Sequence, residues 1–190
     1  GAFTNLTQDH LDYHKTWENY FNSKRILFKN SDIAITNADD KYGLEIVKDL
    51  PCKTVTYAVN TNNADYCAKN VKFKSDGVEY EIVSDFIGRV SCPIPGRFSV
   101  YNSLCAAAVA LSLGIDYKSV LTAISKSNGV KGRIEVVPTN TDYTVIIDYA
   151  HSPDGLENII TSLREIAKNR VVTLFGCGGD PSGLINRFYV

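Results

Sequence analysis

The sequence predicts an α/β fold: a parallel sheet that carries a β-hairpin, followed by the first βαβ unit of a second, smaller part. Three observations carry this. Short apolar strands at Ile33-Ala34-Ile35-Thr36 and at Thr54 to Val59 flank a helical stretch, the spacing of a parallel crossover. Ser75-Asp76-Gly77 sits between two alternating runs, as a hairpin turn does. After the Gly-rich break Gly129-Val130-Lys131-Gly132-Arg133, the strand and helix pattern starts again.

Each element has its own reason. Trp17, Tyr20, Phe21, Leu27 and Phe28 recur at helical spacing, and Thr16 can cap a helix from Thr16 to Phe28. Asn37-Ala38-Asp39-Asp40 has capping chemistry and leads into a short helix with Leu44, Ile46 and Val47. In the hairpin, Val71, Phe73, Val78, Tyr80 and Ile82 face inward, while Lys72, Lys74, Glu79 and Glu81 take the wet face. After Pro93-Ile94-Pro95-Gly96 a helix is expected from about Val100 to Leu113, its Ala106-Ala107-Ala108 allowing close backbone approach. Asp116 caps a further helix from Tyr117 to Ser125. Beyond the break, Val145 to Asp148 reads as a buried strand. Ser152-Pro153-Asp154 starts a helix that runs to about Lys168, and Val171 to Phe175 reads as the next strand. The expected division is 1–132, 133–180 and a tail, 181–190.

The chain has 190 residues, with Lys+Arg 20 against Asp+Glu 21 and a net charge of −1. That balance argues against nucleic acid and against a basic membrane anchor. No apolar run approaches the roughly 20 residues of a membrane span, and the N-terminus lacks the basic and apolar regions of a signal peptide. The five cysteines are odd in number and form no Cys-x-x-Cys pair; Cys105 lies in an alanine-rich, core-like stretch. A reduced, cytoplasmic chain is expected.

Lys24 lies seven positions after Trp17 and three after Phe21, which places it near the centre of the apolar stripe. A lysine amine without water favours its neutral form. A neutral amine adds CO₂ and becomes a carbamate, whose oxygens suit Mg²⁺. The plainer reading is a packed stem with its head in water. His10 and His14, spaced i, i+4, face one metal if helical, or else cap and hydrogen-bond. Asp148 and His151 follow a strand end, where open α/β sheets bind ligands; Asp148 there suits a ribose hydroxyl or a metal-bound water. A helix-capping loop is the alternative. Gly176-Cys177-Gly178-Gly179-Asp180 follows a strand as phosphate loops do, but without the trailing lysine. Arg133 can clamp a phosphate, or lie free on the surface. No G-x-x-x-x-G-K-[ST] loop occurs.

These segments, in order, resemble the Mur ligases of the MurE type, the UDP-N-acetylmuramoyl-tripeptide synthetases. The resemblance rests on Thr4 to His14, Asn37 to Asp40, Gly96-Arg97-Phe98 with Tyr101-Asn102, Gly129 to Arg133 followed by Glu135, Asp148 to Pro153 followed by Asp154-Gly155-Leu156-Glu157, and Phe175 to Asp180. It implies part of a central Mur ligase ATPase-like domain, followed by the start of a Rossmann-like C-terminal domain. It also implies an ATP- and Mg²⁺-dependent ligase of peptidoglycan precursor synthesis. Such an enzyme adds a diamino acid, meso-diaminopimelate or L-lysine, to UDP-N-acetylmuramoyl-L-alanyl-D-glutamate through an acyl phosphate.

By the same resemblance, Lys24 is carbamylated and holds Mg²⁺ with His10. Asn102 lies beside the adenine, and Arg133, Asp148 and His151 lie at the nucleotide. The family's UDP-binding domain, phosphate loop and Mg²⁺-binding glutamate have no counterpart in this sequence, so the chain alone is expected to be catalytically silent. Pro181 to Val190 does not resemble the family. The alternatives are a ligase like folylpolyglutamate or cyanophycin synthetase, and a non-catalytic binding protein of the same fold.

Overall fold

The structure is a computed structural model that describes residues 1–7 and 11–176. The chain divides into two compact units, Gly1–Asn128 and Gly129–Val190.

In the first unit the elements run β1 (Ala2–Phe3), α1 (Leu11–His14), α2 (Trp17–Lys29), β2 (Ile33–Asn37), α3 (Gly43–Ile46), β3 (Lys53–Ala58), β4 (Tyr66–Lys74), β5 (Gly77–Val83), β6 (Ile87–Cys92), α4 (Arg97–Ser112) and α5 (Tyr117–Ser125). The six strands form one sheet in chain order. β1 to β4 pair in parallel, while β5 and β6 pair antiparallel. The expected hairpin is therefore an extension of the parallel sheet and not a separate feature. β6 was not expected from the sequence. Lys72 stands opposite Glu79, which puts the anticipated charges on neighbouring strands of the wet face.

Successive residues of β2 serve two cores, because strand side chains alternate across the sheet. Ile35 joins Val55, Tyr57, Val90 and Leu104 on the face covered by α4. Ala34 joins Phe3, Tyr20, Phe28 and Ile46 on the face covered by α2 and α3. Burial on both faces explains why this strand reads as an unbroken apolar run. Thr16 caps α2 by accepting the Asn19 N–H at 3.1 Å, and Asp116 caps α5 by accepting the Ser119 N–H at 3.0 Å.

The second unit holds β7 (Glu135–Val137), β8 (Val145–Ile147) and α6 (Pro153–Ile166). β7 and β8 pair antiparallel, a pairing the sequence reading did not foresee. Ser152 caps α6 through the Gly155 N–H at 3.2 Å, with Pro153 at the first helical position. Val145 to Ile147 forms the expected strand but is only half-buried, with Ile147 exposed. Residues 171–175 follow α6 without strand pairing, and Leu174 is fully exposed. An apolar, β-branched run becomes a strand only beside an edge that takes its hydrogen bonds, and none of the described strands does so.

Candidate functional site at the carboxyl edge of the sheet

β1, β2 and β3 run in one direction and end at one edge. Each passes there into polar chain: Thr4-Asn5, Ala38-Asp39-Asp40, and Val59-Asn60-Thr61. This edge is where parallel sheets place ligands. It is tightly tied. Asn37 is buried and donates from Nδ2 to the Thr4 carbonyl at 2.9 Å, while its Oδ1 accepts the Asp39 N–H at 3.0 Å. The Tyr57 hydroxyl donates to the Phe3 carbonyl at 3.1 Å. Gly43 makes the close packing of α3 on β2 feasible, because a Cβ there would lie 1.8 Å from the Asn37 carbonyl oxygen.

Asp39 is the hub of this edge. One carboxylate oxygen accepts the N–H groups of Val59 and Asn60, at 2.7 and 2.8 Å, and the Tyr101 hydroxyl at 3.0 Å. The other accepts the Thr61 N–H at 2.8 Å. Burial by itself raises the carboxyl pKa, but the donors from Asn60, Val59, Thr61 and Tyr101 prevail and hold it below the ordinary value. Burial, reinforced by Asp39, pushes the Tyr101 hydroxyl up to about 12. Asn60 extends the network, donating to the Tyr101 hydroxyl at 2.9 Å and accepting from Arg97 at 2.8 Å. Asn102 is the next residue after Tyr101 and is exposed.

Lys24 is exposed, which corrects its expected place at the centre of the apolar stripe. The stripe turns toward Arg25, which is half-buried and donates to the Lys48 carbonyl. Lys24 and Leu27 are left on the flank, so the desolvation invoked for the amine is not there. The Lys24 ammonium lies 5.0 Å over the Tyr20 ring and borders a groove with Thr4, Asn5 and Ser23. His14 stacks on the same ring at 4.8 Å, with its Nδ1 3.5 Å from the Ser23 hydroxyl. His10 lies outside the described residues, as do Cys177 to Asp180 of the Gly-rich segment. Among the described residues, no three His, Cys, Asp or Glu side chains gather to hold a metal.

The second unit brings Arg133, Asp148 and His151 together. Asp148 Oδ2 accepts the Ile134 N–H at 2.9 Å, and Oδ1 accepts the Ala150 N–H at 2.8 Å. The Arg133 guanidinium lies 4.5 Å over the Tyr149 ring, whose edge meets His151 at 5.1 Å. His151 Nδ1 donates to the Tyr149 carbonyl at 3.0 Å, which leaves Nε2 of the neutral ring as an acceptor. Tyr149 is thus the missed centre of this group. The helix cap is Ser152 and not His151.

Residues 1–110 match the family model of the Mur ligase middle domain, and residues 132–183 match that of the Mur ligase glutamate ligase domain. The chain belongs to the Mur ligase family. It is similar to UDP-N-acetylmuramoyl-L-alanyl-D-glutamate–2,6-diaminopimelate ligase 1 of Clostridium acetobutylicum, with 47% identity over 183 residues, covering 95% of this chain and 38% of that protein. The corresponding ligase of Clostridium botulinum is 46% identical over 181 residues, covering 94% and 37%. A solved structure of a 2,6-diaminopimelate ligase superposes with a TM-score of 0.75 at 31% identity, covering 95% of this chain and 38% of that one. The chain thus spans about 38% of the length of these Mur ligases.

Tyr101 and Tyr149 sit inside Mur ligase motifs that the sequence had already singled out, at Gly96 to Asn102 and Asp148 to Pro153. An aromatic directly beside Asn102 and beside Asp148 was the available signal. Among the described residues, no helix is long and apolar enough to cross a membrane.

Proposed function

We propose that this Mur ligase chain serves the ATP-dependent joining of 2,6-diaminopimelate to UDP-N-acetylmuramoyl-L-alanyl-D-glutamate, in peptidoglycan precursor synthesis in the cytoplasm. The observation that carries the reading is the 47% identity, over 183 residues, to a ligase named for that reaction. It favours diaminopimelate over lysine.

ATP supplies the phosphoryl group that turns the substrate carboxylate into an acyl phosphate, which the incoming amine attacks. The second unit fits a nucleotide: Arg133 offers a fixed charge, Tyr149 a flat apolar face, and His151 a free ring nitrogen. Asp148, with each oxygen already holding one N–H, keeps lone pairs for a ribose hydroxyl. Asn102 offers both a donor and an acceptor to an adenine edge. For Mg²⁺, Lys24 would contribute two oxygens as a carbamate, with His10; its exposed amine on the groove by Thr4 and Asn5 is within reach of CO₂. Bound there, the ion would offset phosphate charge.

A segment exchange tests the reading. Residues 1–183 replace their counterpart in the Clostridium acetobutylicum ligase, and ATP-dependent product formation is followed with diaminopimelate and with lysine. Product with diaminopimelate is the expected result. A folded chimera that uses lysine alone, or neither amino acid, would sink the assignment. The chain by itself, lacking a phosphate-loop sequence, is expected to show no micromolar heat of binding with ATP and Mg²⁺.

A further inference from the structure

We propose that Asp39 is a positioning residue for the adenine side of the nucleotide site, acting through Tyr101 on Asn102. The inference rests on the reading of Asn102 as an adenine neighbour and deepens it.

Asp39 is engaged by the protein on both oxygens. Four donors bind it, three successive backbone N–H groups of the loop after β3 and the Tyr101 hydroxyl, with three of the four bonds on one oxygen. A carboxylate held this way is first a holder of other groups. Hydrogen bonds to a charged acceptor are the strong ones, so the hold is firm.

What it holds is at the surface. The Tyr101 hydroxyl gives its proton to Asp39 and accepts from Asn60, so both of its hydrogen-bonding roles are fixed. Asn60 in turn accepts from Arg97. These bonds join the first turns of α4 to the loops after β2 and β3, while along the same helix Val100, Leu104, Ala107 and Ala108 are fully buried and Tyr101 itself packs against their cluster. The Asp39 network is the polar end of that packing. Its effect is to fix where Asn60, Arg97 and Asn102, all exposed, stand along the carboxyl edge of the sheet. A side chain that must meet a flat base edge at hydrogen-bond distance gains from such preorganisation.

Adenosine is the probe, because it carries no phosphate and needs no metal. The whole ¹⁵N-labelled chain is titrated while amide shifts and hydrogen exchange are read. In the wild type, adenosine is expected to shift the Arg97, Tyr101 and Asn102 amides. Tyr101→Phe cuts only the link to α4. It should leave the Val59, Asn60 and Thr61 amides protected, yet weaken the adenosine response about tenfold. Asp39→Asn should lose both the protection and the response. Should either variant fail to fold, the other still decides. If both respond to adenosine as the wild type does, the positioning role is wrong and the adenine reading stands. If the wild type itself shows no shift near Asn102, the adenine reading fails and this inference falls with it.

Discussion

The Asp148 carboxylate accepts the backbone N–H of Ile134 at 2.9 Å, and Ile134 has a φ of 48°. A β-branched residue in the left-handed region costs on the order of 1–3 kcal/mol. Burial of its side chain and the bond to Asp148 offset that cost. The strain has a use: it turns the chain between Arg133 and Glu135, so that the guanidinium lies over the Tyr149 ring while β7 pairs with β8. Asp148 thus supports the geometry of the Arg133 group from within the same unit.

Asp148→Ala should therefore speed hydrogen exchange at the Ile134 and Ala150 amides, and destabilise the second unit by about 1–3 kcal/mol. Asp148→Asn retains one acceptor oxygen and should protect one of the two amides. Exchange at both amides unchanged in Asp148→Ala would refute the supporting role.

Asp39 gives the first unit an acid-sensitive joint. Its pKa is lower folded than unfolded, since donors on Asn60, Val59, Thr61 and Tyr101 outweigh the effect of burial. A depressed carboxyl contributes stability that is fully present above its unfolded value, about 4, and is lost as pH falls through the folded one. Amide protection at Val59 to Thr61 should be flat from neutral pH down to about 4 and should decline below it. In Asp39→Asn the same amides should be weakly protected at neutral pH, with little further change on acidification. A wild type and a variant that lose protection in parallel would assign the acid response to other groups.

Local chemistry made much of this fold legible, and long-range pairing hid the rest. The caps Thr16, Asp116 and Ser152 act on amides within their own first turns, so they could be read from spacing alone. β6 could not. Its inward residues are Gly88, Val90 and Cys92, with Arg89 and Ser91 outward, and it is a strand because β5 lies beside it. Asp148 and His151 follow a strand end and Arg133 follows a Gly-rich break, so local signals alone made them candidates. Asp39 was seen only as a turn residue, because its partners Val59 and Tyr101 lie 20 and 62 positions away. Lys24 and Arg25 are neighbours on one helix. Which of them turns inward was decided by the Lys48 carbonyl, 23 positions beyond Arg25.

The same logic separates two leucines of α4 and the turn after it. Leu104 is 0% exposed among strands and helices, whereas Leu113 is 70% exposed. Leu104→Ala should cost about 2–5 kcal/mol, by lost burial and the cavity left behind, and Leu113→Ala within about 0.5 kcal/mol. Urea unfolding followed by far-UV circular dichroism measures both. Equal midpoints for the two variants would mean that α4 does not seat the core as described.

Lys24 offers the sharpest division between fold and chemistry. Its side chain is exposed and its contact is the Tyr20 ring face, so Lys24→Ala should move the unfolding free energy by only about 0.5–1 kcal/mol, the worth of an exposed cation–π contact. In the segment-exchanged ligase the same change should abolish product formation, because alanine can carry no carbamate. Labelling with ¹³C-bicarbonate adds a readout apart from turnover: the exchanged ligase should show a carbamate carbon that Lys24→Ala removes. A large loss of stability in Lys24→Ala would make the residue a structural one. Full turnover in that variant, or no carbamate signal in the exchanged ligase with Lys24 intact, would take away the chemical role.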